Sequence, residues 1–133
     1  MEKTRIGFAM CGSFCTFEPA MEQLHLLAEQ GHKILPIMSK TASETATRFG
    51  RASDFIWELE DTCHHKVIKT IAEAEPIGPK HLVDLMVVAP CTGNTLAKLS
   101  WGITDTPVTM AVKSSLRIGL PVVLALATND ALA

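Results

Sequence analysis

The 133-residue chain carries 12 lysines and arginines against 14 acidic residues, a formal charge of −2 with both signs interleaved, so there is no basic stripe for nucleic acid and no polybasic anchor for a membrane surface. Hydrophobic residues make up 47%, enough for one core that removes roughly two-thirds of the unfolded surface from water, yet no apolar run reaches the roughly 18 residues a bilayer requires. These limits point to a single domain, residues 1–133, that handles a small molecule or a protein partner in the cytoplasm, with Cys11, Cys15, Cys63 and Cys91 scattered as reduced thiols.

Arg5 to Met10 (RIGFAM) reads as a short apolar strand that runs through Cys11-Gly12-Ser13-Phe14-Cys15-Thr16 into an amphipathic helix from about Phe17 to Gln30. Pro19 suits its first turn, Met21, Leu24, Leu27 and Ala28 mark its buried stripe, and Gly31 stops it. A helix that begins just past Gly12 and Ser13 aims its free N–H groups at whatever lies above the strand, and phosphate is the usual occupant; alternatively the two residues simply make a tight strand-to-helix turn. One glycine is not the three-glycine dinucleotide fingerprint, so NAD is disfavoured on this chain.

His32 to Met38 (HKILPIM) is the second expected strand, followed by Ser39, Lys40 and Thr41 where a ribose-gripping Asp or Glu would stand in a dinucleotide site. A hydroxyl at Ser39 beside Lys40 fits a phosphate oxygen better than a ribose diol, although Lys40 by itself reads first as a solvated surface charge. Helical periodicity covers Ser43 to Arg51 and then Ala52 to Thr70, through Phe55, Ile56, Leu59, Val67, Ile68 and Ile71, with Ser53 as a candidate cap. Cys63-His64-His65 does not predict a metal site, because adjacent helical residues diverge by about 100° and no second cluster stands at ligand spacing.

Ala74 to Lys80 (AEPIGPK) holds two prolines and a glycine and reads as a loop. Beyond it, Leu85 to Ala89 lacks polar alternation, as expected of a central parallel strand covered on both faces. Pro90-Cys91-Thr92-Gly93-Asn94-Thr95 follows as a loop, and Leu96, Ala97, Leu99 and Ile103 then recur at helical spacing. Open α/β sheets place their ligands at such carboxyl-end loops, and the small hydroxyls, amide and N–H groups here favour a planar polar cofactor over acid–base chemistry. Asp105-Thr106-Pro107 opens a helix from Val108 to about Ile118, with Pro107 at its first position and Gly119 as its stop. Pro121 to Ala127 is expected to be another buried parallel strand, with Thr128-Asn129-Asp130 as its carboxyl-end loop. No covering helix follows, so the sheet reads as lacking a C-terminal part.

The loops together resemble the flavoprotein family that includes the homo-oligomeric flavin-containing cysteine decarboxylases and the flavin prenyltransferases. The decarboxylase signature P-A-S-A-N-T stands here as Pro90 to Thr95, with Ala97-Lys98 and Gly102-Ile103-Thr104-Asp105 in register. RIGF with Gly12-Ser13, TRFG at Thr47 to Gly50, EPIGPK at Glu75 to Lys80 and Thr128-Asn129-Asp130-Ala131-Leu132 extend the resemblance over the whole chain, and within the family they point to a longer, two-component oxidoreductase of spore-forming bacteria. The resemblance implies a three-layer α/β, Rossmann-like fold with an open parallel sheet. It also implies FMN, its phosphate on Gly12, Ser13 and Ser39 and its ring beside Pro90, Cys91, Thr92, Gly93, Asn94 and Thr95.

By the same resemblance, Asn94 is the candidate catalytic residue, and Cys91 packs near the ring rather than attacking. Lys80 and Asn129, with Lys40 and Arg48 behind them, are candidate contacts for a small dicarboxylate. The implied partner chain carries NAD(P), the implied assembly is a trimer or a multiple of one, and the implied compartment is the mother-cell cytoplasm. Two departures tell against decarboxylation: counted back from Asp84, Pro76 stands where the decarboxylases carry a catalytic histidine, and Leu126-Ala127-Thr128-Asn129 keeps only the amide of their substrate clamp. A decarboxylase or prenyltransferase relative, and a non-catalytic flavin-binding or scaffold protein, are the competing readings. All of them need the turns at Gly12, Ser39 and Thr92 to meet on one rim.

Overall fold

The computed structural model describes residues 3–12, 17–44 and 52–127. Four strands, β1 (Arg5–Met10), β2 (Lys33–Met38), β3 (Leu85–Cys91) and β4 (Val122–Leu126), form a parallel sheet in the order β2-β1-β3-β4. Each consecutive pair is separated by helix, as parallel pairing requires: α1 (Phe17–Glu29), α2 (Lys40–Glu44), α3 (Ala52–Cys63) and α4 (Ile71–Ala74), then α5 (Gly93–Ser100) and α6 (Pro107–Arg117). The expected α/β class and open parallel sheet are therefore what the chain forms.

Side chains of β1 and β3 alternate between two cores, one on each face of the sheet. Ala9, Met86 and Val88 pack with Val108, Ala111 and Val112 of α6 on one side. Phe8, Met10 and Met38 pack with Phe17, Leu24 and Leu59 on the other, where the Phe17 and Phe55 rings meet edge to face with centroids 5.0 Å apart. The helix ends follow the residues expected of them. Gly31 and Gly119 adopt φ of 90° and 73° past α1 and α6, and Thr106 accepts from the Thr109 N–H at 3.0 Å ahead of Pro107.

Three expectations change. The periodicity from Ala52 to Thr70 is not one helix: α3 ends at Cys63, His64 turns the chain with φ of 53°, and Ile68 pairs in parallel with Ile37, exchanging Ile68 N–H to Pro36 O at 2.9 Å and Met38 N–H to Ile68 O at 3.0 Å. Val67 and Ile68 are β-branched and few, so their fate is settled by the free edge of β2 rather than by periodicity. The stretch expected as a loop at Ala74 to Lys80 begins as helix and a 3₁₀ turn, Glu75–Ile77, where Pro76 occupies a first-turn position that needs no N–H partner. Finally, β4 is a strand but not a buried one: Val123 is 53% and Leu126 48% exposed. It lies at the sheet edge, and Val122 reaches the α6-side core while no described helix covers the opposite face. The segment 45–51, including TRFG and part of the expected Ser43 to Arg51 helix, lies outside the described residues.

Candidate functional site at the carboxyl rim

Because β1, β2 and β3 are parallel and in register, their carboxyl ends must share one edge, and the turns that leave them are neighbours. Ser39 N–H donates to Met10 O at 3.0 Å and Cys11 N–H donates to Pro90 O at 3.1 Å. Gly12, Ser39 and Thr92 therefore stand side by side on one rim. Ser39 is nearly buried and its Oγ accepts from the Ala42 N–H at 3.1 Å, capping α2, while its hydroxyl proton has no acceptor among the described residues.

The third turn is tighter than the sequence indicates. Pro90 and Cys91 belong to β3, with a cis Ala89–Pro90 peptide and a register shift against β4 after Val88, while Gly93, Asn94 and Thr95 already form the first turn of α5. Only Thr92 separates strand from helix. Its Oγ1 accepts from Thr95 N–H at 3.2 Å and donates to Thr95 Oγ1 at 3.1 Å, and Thr95 Oγ1 in turn lies 3.2 Å from Cys11 Sγ. This part-buried chain of hydroxyls and thiol ties the β1 turn to the β3 turn.

Above it, Asn94 is exposed and its amide makes no hydrogen bond among the described residues, while the first N–H groups of α5 have no intrahelical acceptor. Cys91 is fully buried, and burial first, then the neighbouring Cys11, pushes its thiol up to about 11. Burial likewise raises Cys11. Both are protonated thiols at neutral pH, so Cys91 is a packing group here and no thiolate is on offer. Half-exposed Thr92, side-chain-free Gly12, the Ser39 hydroxyl and the unengaged Asn94 amide make a donor-rich, uncharged bed. That donor set fits a phosphorylated planar cofactor such as FMN.

The rim does not collect every expected residue. Lys80 sits in the turn that feeds the amino end of β3, where Arg5 Nη1 donates to His81 O at 2.8 Å, so it faces away from the rim. Pro76, half-buried in its 3₁₀ turn, brings no titratable group. Ser13, Arg48 and Asn129 lie outside the described residues. Lys40 does stand on the rim side, exposed, lining a cleft of ≈ 510 Å³ shared with Lys69 and Asp105. Sequence reasoning missed Lys69, which reaches the rim only because Ile68 extends the sheet beyond β2. Among the described residues no group of three His, Cys, Asp or Glu side chains could hold a metal ion, and no helix is long and apolar enough to cross a membrane.

The profile of the Flavoprotein family matches residues 1–132. The chain belongs to the Flavoprotein family. It is 43% identical over 128 residues to the B subunit of dipicolinate synthase from Bacillus subtilis (strain 168), a match that covers 96% of this chain and 64% of that protein. It therefore spans slightly less than two-thirds of that relative's length. The crystal structure of the dipicolinate synthase B subunit from Bacillus halodurans C superposes with a TM-score of 0.84 at 39% identity, covering 98% of this chain and 67% of the other. The FMN-dependent cysteine decarboxylase TvaF of thioviridamide biosynthesis shares the fold, with a TM-score of 0.75 at 21% identity over 98% of this chain and 77% of its own.

Proposed function

We propose that this chain is the flavin-bearing B-type component of a dipicolinate synthase. In this reading it works with the A-type component of that synthase, which carries NAD(P), to oxidise a dihydrodipicolinate-type precursor to dipicolinate for spore formation in the mother-cell cytoplasm. The observation that carries the reading is 43% identity to such a B component over nearly the whole chain. The family assignment and the donor-rich rim support a bound flavin. FMN, when bound, supplies the redox chemistry. The chain itself supplies binding and orientation: Gly12, Ser13 and the Ser39 turn hold the phosphate through N–H and hydroxyl donors, and Pro90 to Thr95 run beside the ring. The Asn94 amide faces the space above, where it orients the substrate. A dicarboxylate needs cations, and Lys40 is the candidate on the rim, with Asn129 from the last loop; Lys80, at the opposite edge, could act only across a contact between chains.

A homo-oligomer, a trimer or a multiple of one, is part of the same proposal and rests on the family resemblance. Decarboxylation of a peptidyl cysteine is the second enzymatic reading, and Pro76 in place of a titratable side chain speaks against it. The test is reconstitution with the A-type component, FMN and NAD(P), following dipicolinate by its absorbance. Wild type should be yellow and active, and Asn94→Ala should keep its colour but lose about tenfold or more in rate. A colourless protein that still activates the A-type component would replace this reading with a scaffold role, and an unchanged rate would remove Asn94 from the site.

A further inference from the structure

The backbone fixes where Lys69 begins. Ile68 O accepts from Met38 N–H at 3.0 Å and Ile68 bridges in parallel to Ile37, so the next residue runs alongside the step from Met38 to Ser39, where β2 gives way to α2. Parallel neighbours lie about 5 Å apart. Lys69 thus starts on the flank of the Ser39 turn that faces away from β1, and it lines the rim cleft together with Lys40. Its side chain is exposed and joins no ion pair among the described residues.

The acids at this end of the sheet are mostly engaged elsewhere. Both oxygens of Asp105 accept from Lys98 Nζ, at 2.9 and 3.2 Å. Glu73 Oε1 accepts from the Thr70 hydroxyl at 2.9 Å and from the Lys69 backbone N–H at 3.3 Å. Glu44, one turn beyond Lys40 on α2, pairs with neither lysine. The turns at Gly12, Ser39 and Thr92 meanwhile offer hydroxyls and N–H groups but no charge, whereas a phosphate monoester carries about −1.5 to −2 at neutral pH. Neutral donors replace only part of what water gives such a group, and a cation at its flank offsets the remainder.

We propose that Lys69 is the cation that balances the phosphate held at the Ser39 turn, so that the site selects FMN over riboflavin, which has the same ring and no phosphate. The inference rests on the flavin reading and leaves Lys40 to the dicarboxylate. The test titrates the whole chain with FMN and, separately, with riboflavin, followed by quenching of flavin fluorescence. Wild type should bind FMN about tenfold or more tighter than riboflavin. Lys69→Ala should weaken FMN about fivefold or more and leave riboflavin unchanged, and Lys69→Arg, which keeps the charge, should restore most of the preference. Riboflavin serves as the folding control, because a damaged rim would lose both flavins alike. Lys66→Ala removes the same formal charge from an exposed position three residues earlier and should bind both flavins as wild type does. Unchanged FMN affinity in Lys69→Ala, equal loss of both flavins, or an equal loss in Lys66→Ala would overturn the proposal while the flavin reading stands. If wild type binds neither flavin, that reading falls and this inference falls with it.

Discussion

Replacing Thr92 by alanine tests whether one hydroxyl holds the rim together. The side chain caps α5 by accepting from Thr95 N–H at 3.2 Å, and it donates to the Thr95 hydroxyl at 3.1 Å. Loss of an N-cap costs about 1 kcal/mol. Leaving the buried Thr95 hydroxyl with Cys11 Sγ as its one side-chain hydrogen-bond partner among the described residues adds roughly 0.5–1 kcal/mol. The sum, about 1.5–2 kcal/mol, corresponds in a domain of this size to a fall in Tm of roughly 5–8 °C. Thr92→Ser keeps both interactions and should stay within about 2 °C of wild type. Differential scanning calorimetry of the three proteins gives the stability part, and titration with FMN followed by flavin fluorescence gives the site part. Because the same hydroxyl ties the β1 turn to the β3 turn, Thr92→Ala should also weaken FMN binding while Thr92→Ser does not. If Thr92→Ala melts within about 1 °C of wild type, the hydroxyl does not cap α5 and the coupling between the two turns is wrong.

Two further predictions concern the scaffold behind the rim. A Cβ on Gly78 would collide with the Ser114 carbonyl oxygen and lie 2.8 Å from its carbon and 2.9 Å from its Oγ, at the point where Gly78 N–H donates to that Oγ at 2.7 Å. Backbone cannot step aside as a side chain can, so Gly78→Ala should lose about 3 kcal/mol in urea unfolding, and a wild-type midpoint would contradict the close approach of the 3₁₀ turn to α6. At the amino edge, hydrogen bonds from Arg5 hold the Asp84 carboxyl below its usual range. A depressed carboxylate stabilises the fold above its unfolded value and loses that contribution as pH falls through the folded one. Asp84→Asn should therefore unfold at lower urea than wild type at pH 6, with the difference shrinking as the pH drops below about 4; a gap that persists at pH 2 would show that charge is not its source.

The positions of the strands along the chain, and of most helix ends, were written into local sequence. The apolar runs at Arg5 to Met10 and Leu85 to Ala89, the glycines at 31 and 119, and Thr106-Pro107 each specify a conformation through covalent geometry or short-range hydrogen bonds, and those act without knowledge of the rest of the fold. That a strand gives way to a helix near Thr92 was legible for the same reason, but the expected loop from Pro90 to Thr95 shrank to Thr92 alone. Val67 and Ile68 were misread as helix because a two-residue β-branched patch carries no period, and only the open edge of β2 gives Ile68 its parallel bridge to Ile37; Lys69 came to the rim with it. The exposure of β4 was equally invisible, since an apolar strand reads alike whether or not a helix covers it.

What the sequence alone determined was a parallel α/β sheet with small, hydroxyl-bearing turns at its carboxyl ends, because strand propensity, helix stops and capping are local matters. Tertiary structure alone decided which side chains those turns bring within hydrogen-bond reach, joining Cys11 to Thr95 across 84 residues. It also sent Lys80 to the far edge. Such distances depend on strand order and register, which arise from the packing of both cores at once and from no single stretch of chain.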